Sequence, residues 1–202
     1  MVVNQIGEIV EGVNMLGHRA VPIYLVDGER PAVFDAGLAF LAPDYVRQIR
    51  QILQGRHPAW CFLTHSHFDH CGAVAYLKEH FPEMKVVCSA TAADVFQRPS
   101  AISRITDLNN VAAGMADEFG IPPGEAPFAS FCVDEIAGEG DRFEISPGRI
   151  VHAMETPGHT RDFLSYYIPG ERLLIASEAL GTPDETGYIV TDCLVDYDVH
   201  YR

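Results

Sequence analysis

The sequence predicts a mixed α+β fold in a single domain over residues 1–202, and three observations carry that expectation. Runs of alternating apolar positions, set off by Gly or Pro turns, mark short strands in both halves of the chain. Segments with apolar residues at helical spacing lie between them. Apolar residues make up 48% of the chain, enough to bury one core of this size without disulfides.

Taken in order, strands are expected at residues 8–13, 20–27 and 31–35, with Asp27-Gly28 as a turn between the last two, so the chain opens as a β-meander. Residues 42–54 carry Val46, Ile49 and Leu53 on one helical face, and this run stops before Gly55. A buried strand, Ala59 to Leu63, runs straight into the polar burst Thr64-His65-Ser66-His67-Phe68-Asp69-His70. A helix over Cys71 to His80 and a strand over Lys85 to Cys88 follow. Residues 91–128 differ in character: helical patches near 91–97 and 101–119 end at Gly120 and the breaker cluster Ile121-Pro122-Pro123-Gly124, which reads as an inserted helical lid. Strands then return at Phe131–Asp134, Asp141–Ile145, Arg149–Glu155, Phe163–Ile168 and Arg172–Ala176, separated by turns such as Pro147-Gly148 and Pro169-Gly170.

Bulk properties narrow the function classes. Lys and Arg total 14 against 28 Asp and Glu, a formal net charge of -14 that repels polyanions at long range and sets nucleic acid aside as a partner. Cys61, Cys71, Cys88, Cys132 and Cys193 form no C-x-x-C pair, and an odd number cannot all be bridged within one chain; small buried hydrophobes in a reducing compartment are expected. The N-terminus lacks a basic region followed by an apolar one, and no apolar stretch approaches the ~18 residues of a membrane span. A cytoplasmic protein acting on a small molecule, without a membrane, is the expectation.

The segment His65-Ser66-His67-Phe68-Asp69-His70 packs imidazoles and a carboxylate behind a buried strand at a density that ordinary packing does not require. Buried without a partner, such a cluster would cost several kcal/mol. Imidazole and carboxylate are ligand types for zinc and, with other geometry, for manganese or iron. A loop at a rigid strand end can turn successive side chains toward different faces of a bound ion.

These residues also carry a resemblance. Thr64-His65-Ser66-His67-Phe68-Asp69-His70-Cys71-Gly72 resembles the H-x-H-x-D-H signature of the metallo-β-lactamase superfamily. Tyr24-Leu25-Val26-Asp27-Gly28 and Val33-Phe34-Asp35-Ala36-Gly37 resemble its N-terminal strand pair, Thr156-Pro157-Gly158-His159-Thr160 the loop of its next histidine, and Leu173-Leu174-Ile175-Ala176-Ser177-Glu178 the strand that ends in its bridging carboxylate. The resemblance implies an αββα sandwich with a binuclear site at one edge. By position, His65, His67 and His159 would bind the first metal, Asp69 and His70 the second, and Glu178 would bridge them, with Asp69 also the catalytic side chain. Asp35 is expected to orient a ligand histidine, and Thr64 and Thr160 to support the ligands they flank.

Two features depart from the pattern. The family places Asp at the bridging position, where Glu178 is a methylene longer; Asp184 and Glu185 lie just beyond as alternatives. The family also takes a last histidine for the second metal from a later strand, whereas His200 is the only histidine after Glu178 here. The expectation is a sandwich lacking the C-terminal strand–helix unit, with His200 as a candidate ligand, a weaker second metal site and sheet edges that favour a homodimer.

The implied chemistry is hydrolysis. Two divalent ions, zinc first and iron or manganese as alternatives, would share a water, lower its pKa and attack a small thioester, lactone, ester or phosphodiester. Phe96, Ile102, Ile105, Met115 and Phe119 in the lid either cover a partly apolar substrate or pack the helices onto the sandwich. Two other classes stand beside this one: a metal-containing ligand-binding or signalling protein with weak turnover, and a diiron redox domain.

Overall fold

The computed structural model describes residues 6–120, 126–184 and 186–200, with the side chains of residues 118 and 119 excluded. Seven strands form one sheet in chain order: β1 (Gly7–Val10), β2 (Val13–His18), β3 (Val21–Val26), β4 (Ala32–Phe34), β5 (Trp60–Phe62), β6 (Lys85–Ser89) and β7 (Glu135–Ala137). The meander β1–β4 is antiparallel, and β4 to β7 are parallel. A second, antiparallel sheet has the order β11-β10-β9-β8, from β8 (Arg142–Ser146), β9 (Arg149–Glu155), β10 (Leu164–Ile168) and β11 (Leu173–Ile175).

Strand alternation sorts the first sheet into two faces. Val33, Cys61, Val86 and Cys88 join the core beneath the helices, whereas Ala32, Phe34, Trp60, Phe62 and Val87 join the core between the sheets. Between the sheets Phe34 stacks on Phe62 at 5.2 Å, and Tyr166 and Phe143 lie 5.2 and 5.1 Å from the same Phe62 ring. Burying such side chains contributes roughly 1.5–3 kcal/mol each.

The helical layer consists of α1 (Ala42–Leu53), the short α2 (Phe68–Cys71), α3 (Val74–His80), α4 (Ala90–Phe96) and α5 (Pro99–Gly114). Pro43 fits the first turn of α1, where its missing N–H is no loss. Gln54 closes α1 in the left-handed conformation, and its N–H bonds Arg50 O. The helices of the expected lid are packed: Phe96 and Ile105 are buried in the core that holds α1, and Ile102 lies against it, while Met115 is 44% exposed. On the outer face of the second sheet Met154 and Leu174 are 38% and 42% exposed.

The α+β sandwich agrees with the sequence, and three details differ. The first expected strand is a hairpin, β1 and β2, turning at Glu11-Gly12; the start of β2 is buried on both faces, so it shows no alternation. Phe131–Asp134 is not a strand. Phe131 packs on Phe96 at 4.8 Å, Asp134 Oδ2 accepts from Val86 N and Lys78 Nζ at 2.8 Å each, and β7 begins one residue later. The helix expected from Cys71 is broken into α2 and α3. Beyond β11 the chain forms a small hairpin, β12 (Thr182–Pro183) with β13 (Ile189–Val190), and a single turn, α6 (Tyr197–His200). No helix among the described residues is long and apolar enough to cross a membrane.

Candidate metal centre

The site lies where parallel strands β4 and β5 end. Asp35 follows β4 with φ 59°, a left-handed conformation that Asp tolerates better than bulkier residues. Asp35 N donates to Phe62 O at 2.8 Å, which locks it to the neighbouring strand. Its carboxylate is fully engaged: Oδ1 accepts from Thr64 N at 2.8 Å and Thr64 Oγ1 at 2.9 Å, and Oδ2 from His70 Nδ1 at 2.9 Å. Asp35 and Thr64 thus lie in hydrogen-bond contact with His70 and His65, respectively.

After β5, Leu164 N donates to Thr64 O at 2.8 Å and Tyr166 Oη to Leu63 O at 2.8 Å, so the segment entering the histidine cluster is anchored to the second sheet. His67 stays extended before α2, which turns Asp69 and His70 back toward the strand ends. His159 comes from the β9–β10 loop. Glu178 lies just past β11, beside Ser177, which has φ 44°.

Ligand atoms of His65, His67 and His159 lie within 4.8 Å of one another, as do those of His65, His70 and Glu178. His65 is common to both groups. The hydrogen-bond network decides which nitrogens face inward. Asp192 O lies 2.6 Å from His159 Nδ1 and can only accept, so the proton is on Nδ1 and the Nε2 lone pair faces His67 Nδ1 at 3.2 Å. That separation is near the roughly 3.3 Å between two ligands held 2.0–2.1 Å from one tetrahedral ion. Asp35 Oδ2 accepts from His70 Nδ1, and His70 Nε2 lies 3.0 Å from Glu178 Oε1.

His65 supplies the sharpest test of fit. It is fully buried, its Nδ1 lies 3.0 Å from Thr64 Oγ1, and Nε2 is a buried polar atom without a hydrogen-bond partner among the described residues. An orphaned imidazole nitrogen at the junction of two ligand groups is what a cation would satisfy. Phe163 stacks on the His65 ring at 4.6 Å and fixes its plane.

Electrostatics divide the cluster. Burial, reinforced by the neighbouring histidines, pushes the His65 imidazole well below its ordinary value and lowers that of His67, so both are neutral and ready to bind a cation. For His70 burial acts the same way, but the charge and hydrogen bond of Asp35, with Glu178 beyond, outweigh it and raise the imidazole well above its usual value. Burial would raise the Glu178 carboxyl; the His70 hydrogen bond and charge, with the Ser177 hydroxyl 2.6 Å from Oε2, instead hold it at about 2.

The other expected residues sit apart from the two groups. Asp69 Oδ2 is 3.8 Å from His70 Nε2, at the edge of the second. The Thr160 hydroxyl is buried and bonds none of the ligand histidines. His200 packs against Gly158 and belongs to neither group. Asp184 is occupied with its own turn, accepting from Thr186 and Tyr188, and Glu185 lies outside the described residues. Supports that the sequence did not reveal are the Asp192 carbonyl, Ser177, and Asp162, whose Oδ2 accepts from Ser66 N at 2.8 Å. A main-chain carbonyl leaves no trace in sequence; Asp162, close behind Thr160, was open to notice.

A model of the metallo-beta-lactamase superfamily matches residues 16–199. Among characterised proteins, hydroxyacylglutathione hydrolase of Rhizobium meliloti (strain 1021) is 30% identical over 117 residues, 58% of this chain and 32% of that protein. Acyl-coenzyme A thioesterase MBLAC2 of Gallus gallus is 28% identical over 176 residues, 81% of this chain and 58% of that protein. The chain thus spans less than two thirds of the length of these relatives. Among solved structures, the metallo-beta-lactamase superfamily protein ST1585 from Sulfolobus tokodaii superposes with a TM-score of 0.69 at 20% identity, covering 94% of this chain and 72% of that one. The FEZ-1 metallo-beta-lactamase from Legionella gormanii gives 0.61 at 19% identity, covering 93% and 68%. These likenesses establish the fold.

Proposed function

The chain belongs to the metallo-beta-lactamase superfamily, and from that premise we propose that it is a metal-dependent hydrolase of small thioesters. The observation that carries the reading is the buried, unpartnered Nε2 of His65, shared by two groups of ligand atoms. His65, His67 and His159 would hold one divalent cation, zinc first by ligand type; His70 and Asp69 would hold a second, with Glu178 between. Bound there, the cations would supply an activated water and offset the charge that builds on the attacked carbonyl oxygen.

The protein's own residues supply orientation. Asp35 holds His70 and, through Thr64, His65; the Asp192 carbonyl holds His159; Phe163 seals one side of the His65 ring. Beside the His159 loop a cavity of about 360 Å³ is lined by apolar residues such as Ile136 and Leu164 together with Arg161 and the carboxylates Asp141, Glu155 and Asp162, and none of the proposed ligands lines it. The substrate class rests on the relatives instead: the names of the two hydrolase relatives favour a thioester over a phosphodiester.

The test is a panel of thioesters, lactones and phosphodiesters offered to metal-loaded protein and to Asp69→Ala. Thioester turnover that chelation removes, zinc restores and the variant loses supports the proposal. Metal binding without turnover of any panel member would leave a binding protein. Bound iron with visible absorption would place it among redox proteins.

A further inference from the structure

One buried side chain outside the ligand set ties the segment that follows Asp35 to the turn that carries His70. Asn109 lies in α5 and is 2% exposed. Its Oδ1 accepts from Ala39 N at 2.9 Å, while Nδ2 donates to Phe68 O at 3.2 Å and Ile105 O at 3.1 Å. These partners fix the amide orientation, because a backbone N–H needs an acceptor and the two carbonyls need donors. Ala39 belongs to the segment that begins at Asp35, and Phe68 opens the turn that carries Asp69 and His70.

The two segments touch directly as well. Ala36 N donates to His70 O at 2.7 Å and Gly72 N to Gly37 O at 2.8 Å. At Gly72 a Cβ would fall 2.6 Å from both Ala39 N and Gly37 O and 2.7 Å from Asn109 Oδ1, so no side chain fits between them. Asn is also a weak helix former, and an apolar residue would fill the same position in α5 at less cost to the helix. What only an amide provides here is an acceptor for one segment and a donor for the other.

The geometry points to Asn109 as a positioning residue for the second cation: by tying the Asp35 segment to the His70 turn, it sets the separation of Asp35 and His70 and hence the affinity of the His65–His70–Glu178 group. This rests on the metal-hydrolase reading above. The first group meets the tied turn only at His67, which caps it, and takes His159 from the β9–β10 loop, so the tie bears more on the second group, which holds His70 itself.

The experiment is zinc titration by chelator competition, with cobalt(II) absorption as the spectroscopic readout, on wild type, Asn109→Asp and Asn109→Ala. Asn109→Asp keeps the shape and the Ala39 bond but aims a carboxylate at two carbonyls. Ile49→Val and Leu53→Ala, in the same core but remote from the tie, are controls from which the one matching the loss of unfolding midpoint in metal-free protein is taken. The expected result is a second cation weakened about 10–100-fold in both Asn109 variants, an altered cobalt spectrum, and a first cation weakened distinctly less. Loss of both cations together, or a second affinity no weaker than the control's, overturns the assignment of Asn109 while leaving the hydrolase reading intact. Wild-type protein that binds no cation overturns that reading and this inference with it.

Discussion

At the scale of single residues, Asp35 does the most supporting work, because one carboxylate holds His70, Thr64 and, through the Thr64 hydroxyl, His65. Asn tolerates the same left-handed backbone, so Asp35→Asn changes charge and acceptor count with little change in shape. Metal affinity is expected to fall about 10–100-fold, measured by chelator competition. In metal-free protein the His70–Glu178 pair also predicts a pH dependence. His70 is raised above its ordinary 6.5, so its contribution is complete below that value and is lost as pH rises through the folded value; Glu178 is depressed from 4.5 to about 2, so its contribution is complete above 4.5 and is lost as pH falls toward 2. The pair therefore stabilises most between about 4.5 and 6.5. Urea midpoints of metal-free wild type should decline above that window more steeply than those of Glu178→Gln; parallel curves would refute the coupling. The histidine cluster was legible because its ligands are local in sequence. The Asp192 carbonyl and Asn109 were not, since their roles arise from chain segments that meet only in the fold.

At the scale of elements, the segment after β13 acts as a strap on the His159 loop. Asp192 O accepts from His159 Nδ1, while Val195 N and Asp196 N both donate to Gly158 O at 3.2 Å. Gly158 has φ 146°, and a Cβ there would collide with the backbone and side chain of His200. Gly158→Ala is thus expected to displace the strap, costing about 1–3 kcal/mol in urea unfolding and weakening the first cation more than the second. A stability loss with both affinities unchanged would show that the strap does not hold His159. Sequence periodicity found the strands that are buried on one face, such as β9, and misread β2, whose first residues are covered on both. It placed Phe131–Asp134 in a strand because aromatic and β-branched residues favour one, whereas Asp134 is used to cap the edge of β6. The helices of residues 91–128 were visible, but not that α5 reaches the ligand turn.

At the scale of the whole molecule, the two cores meet at the first sheet, and the candidate metal centre sits at the ends of its central strands, where the segments after β4 and β5, the β9–β10 loop and the residues after β11 converge. An ion bound there would join both sheets, so metal binding should appear as stability of the entire domain rather than of one loop. The general class was readable from motif order, whereas the closeness of four separated segments is a property of the sandwich alone. A ligand that binds only the folded state at about 100 times its Kd adds roughly 2.7 kcal/mol. For a domain of this size each kcal/mol moves Tm by about 2–4 °C. Chelation should therefore lower Tm by about 5–11 °C in a single cooperative transition, and zinc should restore it in proportion to occupancy. A Tm indifferent to chelation in protein shown to have carried zinc would place the ion somewhere other than between the sheets. Reduced dependence on salt is expected alongside, because divalent cations offset part of a formal charge of -14 that otherwise repels itself in the folded state.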